Sequence, residues 1–306
     1  MNSPTSEAQS DVWSDWLLHR RHGDSAQQAD NLRPALQGYA DHVLGAAKLS
    51  QNMTLVDVGS GDGLIAFTAI EWIGASLKVI LTDISAPMLK HARQQAIERG
   101  IISQCDFIQA AAEDLSAIPD ASVDVVITRS VLAYVTNKRQ ALKEMKRILK
   151  PGGRISLAEP VFRDEAVKVL AMKNWVMNNP GHENARYMRL LHQWKSAQFP
   201  DTMEKIAASP LTNYSERDLF LMATEAGFDA VHAELHLDSV QRAIVPWEKY
   251  IECSPHPLAP TLGEILQNSF TPEDRSYFEQ AVRPLLAQGE LEGIERMVYL
   301  TAIKTN

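Results

Sequence analysis

Three glycines in one short stretch are the first sign of chemistry in this chain. In the segment LVDVGSGDGLIAF, residues 55–67, Gly59, Gly61 and Gly63 take every second position between an apolar run and a helix-like run. Glycine permits a positive φ and leaves no side chain between the backbone and a ligand. The following helix would point free N–H groups at that ligand, which favours an anionic end. The stretch therefore predicts a ligand lying against the backbone of a strand-to-helix turn.

Alternating strand and helix patterns over residues 53–159 would position this turn. Five apolar runs are predicted as strands: MTLVDV, LKVILTDI, QCDFIQA, VDVVITR and RISLAEP. Continuous apolar strands between helices are typical of a parallel sheet covered on both faces. In such a sheet, ligands bind beyond the carboxyl ends of the strands. Asp57 and Asp83, at the ends of the first two strands, are therefore expected at one edge of the sheet.

Two classes of ligand fit the glycine turn. A dinucleotide enzyme would carry glycines at 59, 61 and 64, whereas this chain has its third glycine at Gly63 and a leucine at Leu64. That spacing, in DVGSGDG, resembles the first motif of the class I S-adenosylmethionine (SAM)-dependent methyltransferases. Four later stretches resemble further motifs of this family in order: LTDIS, AAAEDL, DVVITRSVLAYV and LKEMKRILKPGGRISLAEP. The resemblance covers about residues 50–160.

The resemblance implies a fold, a cofactor and a set of contacts. The fold would be a Rossmann-like, doubly wound α/β sheet of seven strands with the last strand antiparallel, plus N-terminal helices and helical insertions that form a cap. The cofactor would be SAM and the product S-adenosylhomocysteine (SAH). Asp57 would lie near the SAM ammonium, Asp83 would accept hydrogen bonds from both ribose hydroxyls, and Ile84 would pack on adenine. The other implied contacts are Gly59, Ser60 and Gly61 along the methionine part, Ala112, Glu113 and Asp114 near adenine, and the Arg129 carbonyl.

The rest of the chain is predicted to surround this core. We expect an N-terminal helical lid segment in residues 1–50 and the SAM-binding α/β core in 51–160. A helical cap insertion would follow in 161–214. The C-terminal part of the core, 215–306, would hold a helix and two strands, with a second helical insertion at about 240–290.

The methyl acceptor would sit beyond the fourth and fifth strands. Tyr134 follows the fourth strand and Glu159 ends the fifth, so both are candidates for positioning the acceptor. The arginines in ARYMRLLHQW, Arg186 and Arg189, share a helix face and could hold a substrate carboxylate. Aromatic residues of the flanking helices could form walls that tolerate a cation: Trp13, Trp16, Trp175, Trp194, Trp247 and Tyr250.

These features predict a methyltransferase of small molecules, with an S- or N-acceptor on an amino-acid-like metabolite and methionine among the candidates. O-methylation of a hydroxylated metabolite is the nearest alternative. A non-catalytic SAM-binding regulatory module is the alternative from another class, and it would show no turnover.

Charge and composition narrow the class of partner. The net charge is −8, which makes a nucleic-acid partner unexpected. The chain has two cysteines, no apolar run long enough for a bilayer and no secretory pattern at its start, so a cytoplasmic protein without a membrane partner is expected. A homodimer is the candidate assembly. His232, Glu234, His236 and Asp238 share a strand face, but without a second cluster at ligand spacing we predict a polar strand face and no metal.

Overall fold

A mixed sheet of seven strands forms the centre of the molecule. The structure, a computed structural model, describes residues 10–241, 244–290 and 292–305. The strands are β1 (Thr54–Val58), β2 (Lys78–Asp83), β3 (Cys105–Gln109), β4 (Val123–Arg129), β5 (Leu149–Pro160), β6 (Asp229–Gln241) and β7 (Glu292–Ile303). Their order is β3-β2-β1-β4-β5-β7-β6, and β7 is antiparallel to both of its neighbours. The predicted fold class, a doubly wound sheet whose last strand is antiparallel, is confirmed.

Helices cover both faces of the sheet. They are α1 (Val12–Asp15), α2 (Ala26–Ala47), α3 (Leu64–Ile73), α4 (Ala86–Glu98), α5 (Lys138–Ile148), α6 (Arg163–Asn178), α7 (Ala185–Gln198), α8 (Met203–Ala208), α9 (Glu216–Glu225), α10 (Trp247–Tyr250), α11 (Leu262–Ser269) and α12 (Pro272–Ala287). Apolar residues of α2, α3 and α4 share one core on one face. Those of α5, α6, α8 and α9 share the core on the other face. No helix among the described residues combines the length and apolar character that a bilayer crossing needs.

The strand order places a crevice between β1 and β4. The chain runs from β1 outwards to β3, then returns to β4 on the other side of β1. Loops leaving β1 and β4 therefore diverge to opposite sides, which opens a binding crevice at the carboxyl ends of the strands. Asp57, Asp83 and Arg129 lie at or near these ends.

The two predicted helical insertions do not form separate caps. Leu190 and Trp194 of α7 share a small core with Trp247, Ile265 and Phe278 from the second insertion. We refer to α7 together with residues 244–290 as the cap. Helices α6 and α8 pack instead on the main core. The domain boundaries given above remain a prediction, and their parts at residues 1–9, 242, 243, 291 and 306 lie outside the described residues.

The N-terminal segment crosses the crevice. The spacing of Trp13, Trp16 and Leu17 predicts one continuous helical face, but α1 has four residues and continues as a π-helical turn over Trp16–Arg20. The Asp11 side chain caps α1 by accepting from the backbone N–H of Ser14. We refer to residues 10–22 as the strap.

Candidate functional site

The glycine turn has left-handed backbone at all three glycines, but for different reasons. The φ angles are +67° at Gly59, +54° at Gly61 and +82° at Gly63. A Cβ at Gly59 would come within 2.4 Å of Val131, and one at Gly63 within 2.5 Å of Phe67. A Cβ at Gly61 would meet only Leu17 of the strap among the described residues, at 3.6 Å. Packing inside the protein therefore requires glycine at Gly59 and Gly63, whereas the space beside Gly61 is open enough for a ligand to approach the backbone.

A cavity of about 1160 Å³ lies between the turn, the strap and the cap. Ligand pockets commonly measure about 300–1,000 Å³, so this one has room for two ligands side by side. Its lining includes all the predicted cofactor contacts except Asp114: Asp57, Gly59, Ser60, Gly61, Asp83, Ile84, Ala112, Glu113 and Arg129.

Asp83 ties the second strand to the glycine turn. Its Oδ2 accepts the Gly61 N–H at 2.9 Å, and its Oδ1 accepts the Ser85 N–H at 2.9 Å. Burial raises the pKa of Asp83, and these two hydrogen bonds partly oppose that rise. Each carboxylate oxygen can accept a further bond. Two hydroxyl groups of a ligand could therefore bind here without displacing the turn.

The cavity is also lined by three polar side chains that could bind a ligand: Asp57, Ser60 and Arg129. Burial raises the pKa of Asp57 to about 8, and the nearby Arg129 charge opposes this. Arg129 lines the cavity and acts on Asp57 through its charge, and the buried Ser60 hydroxyl has no hydrogen-bond partner among the described residues. Such groups are costly without partners. A zwitterionic ligand that carries hydroxyl groups fits this set.

The strap connects the core to the cap above the turn. Asp11 accepts a hydrogen bond from the Ser85 hydroxyl at 3.1 Å, beside the carboxyl end of β2. On the cap side, the Trp16 indole donates to the Ser254 carbonyl at 3.0 Å. Arg20 forms a bidentate ion pair with Glu264, at 2.7 and 3.2 Å. The strap therefore closes one side of the cavity.

The part of the chain that carries this site matches a known protein family. A model of the methyltransferase domain family matches residues 49–209, more than half of the chain. The match includes the glycine turn, Asp83 and the carboxyl ends of β4 and β5. The chain belongs to the class I SAM-dependent methyltransferases. It is therefore an enzyme, and SAM is the methyl donor that its family uses.

Curated relatives agree with this assignment over part of the chain. A ubiquinone/menaquinone biosynthesis C-methyltransferase UbiE of Hahella chejuensis is 41% identical over 106 residues, which are 35% of this chain and 42% of the relative. A protein of the same name from Shewanella frigidimarina is 27% identical over 198 residues, 62% of this chain and 72% of the relative. The methyltransferase thus spans less than half of the first relative's length.

Solved structures share the fold at low identity. A candidate methyltransferase from Bacillus halodurans aligns with a TM-score of 0.52 at 18% identity, over 87% of this chain and 99% of that one. The YcgJ protein from Bacillus subtilis aligns with a TM-score of 0.53 at 17% identity, over 88% and 99% of the two chains. These similarities concern the fold alone.

The methyltransferase places two predicted adenine contacts differently. Asp114 lies outside the cavity, and its Oδ1 accepts the Ser116 N–H at 3.1 Å. Glu113 lines the cavity, but its Oε1 accepts the Asn137 N–H at 2.8 Å and so holds the start of α5. Adenine contact by Asp114 is therefore corrected, while Ala112 and Ile84 keep positions that suit it.

Aromatic side chains from three parts of the methyltransferase meet beyond the turn. Trp13 and Trp16 of the strap, Trp194 of α7 and Tyr250 of α10 all line the cavity. Trp13 meets Tyr134 edge to face, with ring centroids 5.2 Å apart. Burial raises the pKa of Tyr134, so its hydroxyl stays protonated at neutral pH.

Glu159 is buried away from the cavity. Its side chain is 1% exposed and lies outside the cavity lining. Its oxygens accept the Thr128 hydroxyl at 2.6 Å and the N–H groups of Val131 and Ala133 at 3.0 and 3.3 Å. The predicted acceptor contact is corrected: Glu159 shapes the loop that carries Tyr134.

Four further acceptor contacts predicted from the sequence are also corrected. Arg186 and Arg189 lie outside the cavity and pair with Asp274 at 2.9 and 3.0 Å, which joins α7 to α12. Trp247 is buried in the cap core. Trp175 packs edge to face on His182, away from the cavity.

Sequence reasoning missed several wall residues of the methyltransferase. Phe162 lies two residues after the end of β5, so its position just past a strand end could have indicated it. Arg21 of the strap and Met172 of α6 also line the cavity. Their helices are amphipathic or short, and no sequence signal says which face meets a ligand.

Proposed function

We propose that this methyltransferase transfers the methyl group of SAM to a carbon atom of an apolar, aromatic small molecule and releases SAH. The observation that carries the proposal is the number of apolar and aromatic side chains in the lining of the cavity that the glycine turn borders. They include Trp13, Trp16, Phe162, Met172, Trp194, Phe199, Leu262 and Met297.

The residues around the turn support a specific donor pose. The two free acceptor positions on Asp83 would take the ribose hydroxyls, and Ile84 with Ala112 would contact adenine. The methionine part would lie along Gly61 and the unpartnered Ser60 hydroxyl. Asp57 would face its ammonium, and Arg129 would face its carboxylate through the guanidinium rather than through the backbone carbonyl.

Charge at the acceptor end favours an apolar acceptor over an amino-acid-like one. Arg296 pairs with Asp164 and Glu165 at 2.9 Å each, and Lys168 pairs with Glu165 at 2.9 Å. Each of these charges therefore already has a partner of opposite sign. Arg186 and Arg189, which were expected to hold a substrate carboxylate, pair with Asp274 instead. The two relatives described above are named for C-methylation in ubiquinone and menaquinone biosynthesis. An amino-acid-like acceptor therefore loses its support.

For this reaction the protein must align the acceptor carbon with the methyl group of SAM and keep water away from both. An electron-rich ring carbon attacks the methyl carbon in line with the C–S bond, the bond to sulfur breaks, and SAM leaves as neutral SAH. The methylated ring then loses its proton to solvent once the cavity opens. Holding the two reactants together accounts for much of the rate gain. Tyr134 can donate a hydrogen bond to a ring oxygen, and the strap with the cap excludes water.

The test is a labelled-methyl assay with a defined acceptor panel. SAM carrying a ¹³CD₃ group is incubated with alkylated hydroquinones, catechols, and the amino acids methionine and glycine. We expect label on a ring carbon of an alkylated hydroquinone, located by tandem mass spectrometry. Label on a hydroxyl oxygen would support O-methylation instead, and label only in the amino acids would overturn the proposal. A cytoplasmic location and a homodimer remain predictions.

A further inference from the structure

Three potential metal ligands from two elements meet at the edge of the sheet. His42 lies on α2, and Glu234 and His236 lie on β6. Their ligand atoms all lie within 4.8 Å of one another. The His236 Nε2 is 3.2 Å and the His42 Nε2 is 3.9 Å from the same Glu234 oxygen, Oε2. We propose that these three side chains bind a divalent transition-metal ion, Zn²⁺ in the first place.

The distances suit such an ion. Zinc binds imidazole nitrogen and carboxylate oxygen at about 2.0–2.2 Å in tetrahedral geometry, which sets ligand atoms about 3.3–3.5 Å apart. The two separations from Glu234 lie on either side of this range. All three side chains are part-exposed, so small side-chain rotations can bring the atoms into place. A water molecule would take the fourth position.

Neighbouring groups hold the ligands in orientation. The His232 Nε2 lies 3.0 Å from Glu234 Oε1, the oxygen that points away from His42 and His236. Outer hydrogen bonds of this kind orient a coordinating carboxylate. Tyr299 of β7 contacts both coordinating rings, with centroids 3.7 Å from His42 and 4.8 Å from His236. The cluster is therefore packed on one side rather than free in solvent.

The local charge favours a cation. All the ion-pair partners of Glu234 among the described residues are histidines: His42, His232 and His236. Asp238 and Glu295 face each other across β6 and β7 a few residues away. Neutral imidazole nitrogens with one carboxylate form the ligand type that zinc, nickel and copper prefer over magnesium.

The alternative is a polar face on an edge strand. Edge strands often carry charged side chains that prevent pairing with other sheets, without any ligand. From the sequence alone this was the better interpretation, because the strand supplied one cluster only. The structure adds His42 from a helix far away in the chain, with its ring nitrogen turned to the same carboxylate oxygen. An edge strand that only avoids pairing with other sheets needs no histidine from a distant helix beside its carboxylate.

The ion would join α2 to β6 rather than take part in methyl transfer. None of the three ligands lines the cavity, whereas Tyr39, one turn earlier on α2, does. A metal at His42 would therefore fix a helix that forms a cavity wall.

The test is metal binding by the full chain after treatment with a chelator. Zn²⁺ is titrated in competition with a chromophoric chelator, and we expect one ion per chain with a Kd below about 10 µM. His42→Ala and His236→Ala should each weaken binding at least about 10-fold, as loss of a ligand or of its support does. Glu234→Gln should do the same, and Mg²⁺ should not compete.

A matched control separates this site from adventitious binding. His19 also pairs with one carboxylate, Asp24, at 2.7 Å, but this pair is not part of a cluster of three ligand atoms among the described residues, so His19→Ala should leave zinc affinity within about 2-fold. Zn²⁺ should also raise the melting temperature of the parent chain by mass action but not that of His42→Ala. A Kd above about 10 µM, or equal affinity in the parent chain and His42→Ala, would overturn the proposal.

Discussion

Asp83 acts on the protein and on the ligand at once. It holds Gly61 and Ser85 through their N–H groups, and its remaining lone pairs face the donor cavity. We expect Asp83→Ala to weaken SAM binding by about 2–3 kcal/mol, as hydrogen bonds to a charged acceptor commonly contribute. Isothermal titration with SAM measures this loss. Some loss of thermal stability should accompany it, because the turn loses two contacts.

Asp114→Ala is the matched control for that variant. Asp114 accepts the N–H of Ser116 two residues on, as Asp83 does with Ser85, but it lies outside the cavity. We expect its SAM affinity to change by less than about 3-fold. Equal losses in the two variants would show that local turn stability, rather than ribose binding, sets the affinity.

Asp57 should make the stability of the ligand-free protein depend on pH. Burial raises its pKa from 3.8 to about 8, so the native state holds a proton that the unfolded chain releases between these values. The free energy of unfolding therefore falls as pH rises from 4 to 8, by at most about 1.4 kcal/mol per pH unit. In Asp57→Asn this contribution is absent, so its melting temperature should fall less between pH 5 and 8. Parallel calorimetric curves for the two proteins would contradict the assignment.

Alanine substitutions at Gly61 and Gly100 can distinguish the effect of backbone strain from the effect of blocking a ligand. Both have left-handed backbone, with φ of +54° and +70°, and a Cβ at Gly100 would meet nothing within 4 Å. Gly61→Ala and Gly100→Ala should each lose roughly 1–2 kcal/mol of stability through strain. A tenfold or greater loss of SAM affinity is expected in Gly61→Ala alone. Normal SAM binding by folded Gly61→Ala would refute close approach at this position.

At the scale of elements, we expect the strap to act as a lid rather than as part of the core. Trp13 and Trp16 are half-buried, and neither belongs to a core cluster. Deleting residues 1–22 should leave the sheet folded, with SAM affinity within about 10-fold, while turnover falls about 10- to 100-fold because water reaches the methyl group. Thermal melting, SAM titration and the labelled-methyl assay measure the three quantities.

A full-length variant serves as the control for that truncation. Arg20→Gln removes the ion pairs to Glu264 and Asp15 but keeps both tryptophans, so its turnover should fall less. Loss of the folding transition on truncation would mean that the strap is core after all. Full activity in the truncated chain would reject both interpretations.

The sequence predicted well those elements whose start or end is marked by neighbouring residues, such as a glycine turn or a helix cap. The first two strands, β1 and β2, are apolar runs followed by a glycine turn and by the Ser85 helix cap, so local sequence defines them. The acceptor wall is different, because Trp194 lines the cavity whereas Trp175 and Trp247 do not. Tryptophans at helical spacing fit either place, and only the packing of α7 on α11 and α12 decides between them. His42 and Glu234 likewise come together through tertiary structure alone.

At the scale of the whole molecule, ligand binding should stabilise core, strap and cap together. The cavity is lined by all three, so a ligand that fills it adds contacts across their boundaries. SAM and SAH at about 100 times Kd should each add about 2.7 kcal/mol to the free energy of unfolding by mass action. NAD should leave the melting temperature unchanged. A melting shift with NAD and none with SAM would contradict the proposed donor site.

The position of β7 has a consequence for biosynthesis. This strand lies between β5 and β6, yet about 140 residues separate Pro160 at the end of β5 from Ile303 at the end of β7. At about 5–20 residues per second, a ribosome needs roughly 7–30 s to make that stretch. Throughout this time one side of the buried, apolar β5 has no strand to pair with, and such an edge can recruit strands from other nascent chains. We therefore expect the yield of soluble protein to depend on how quickly translation reaches β7.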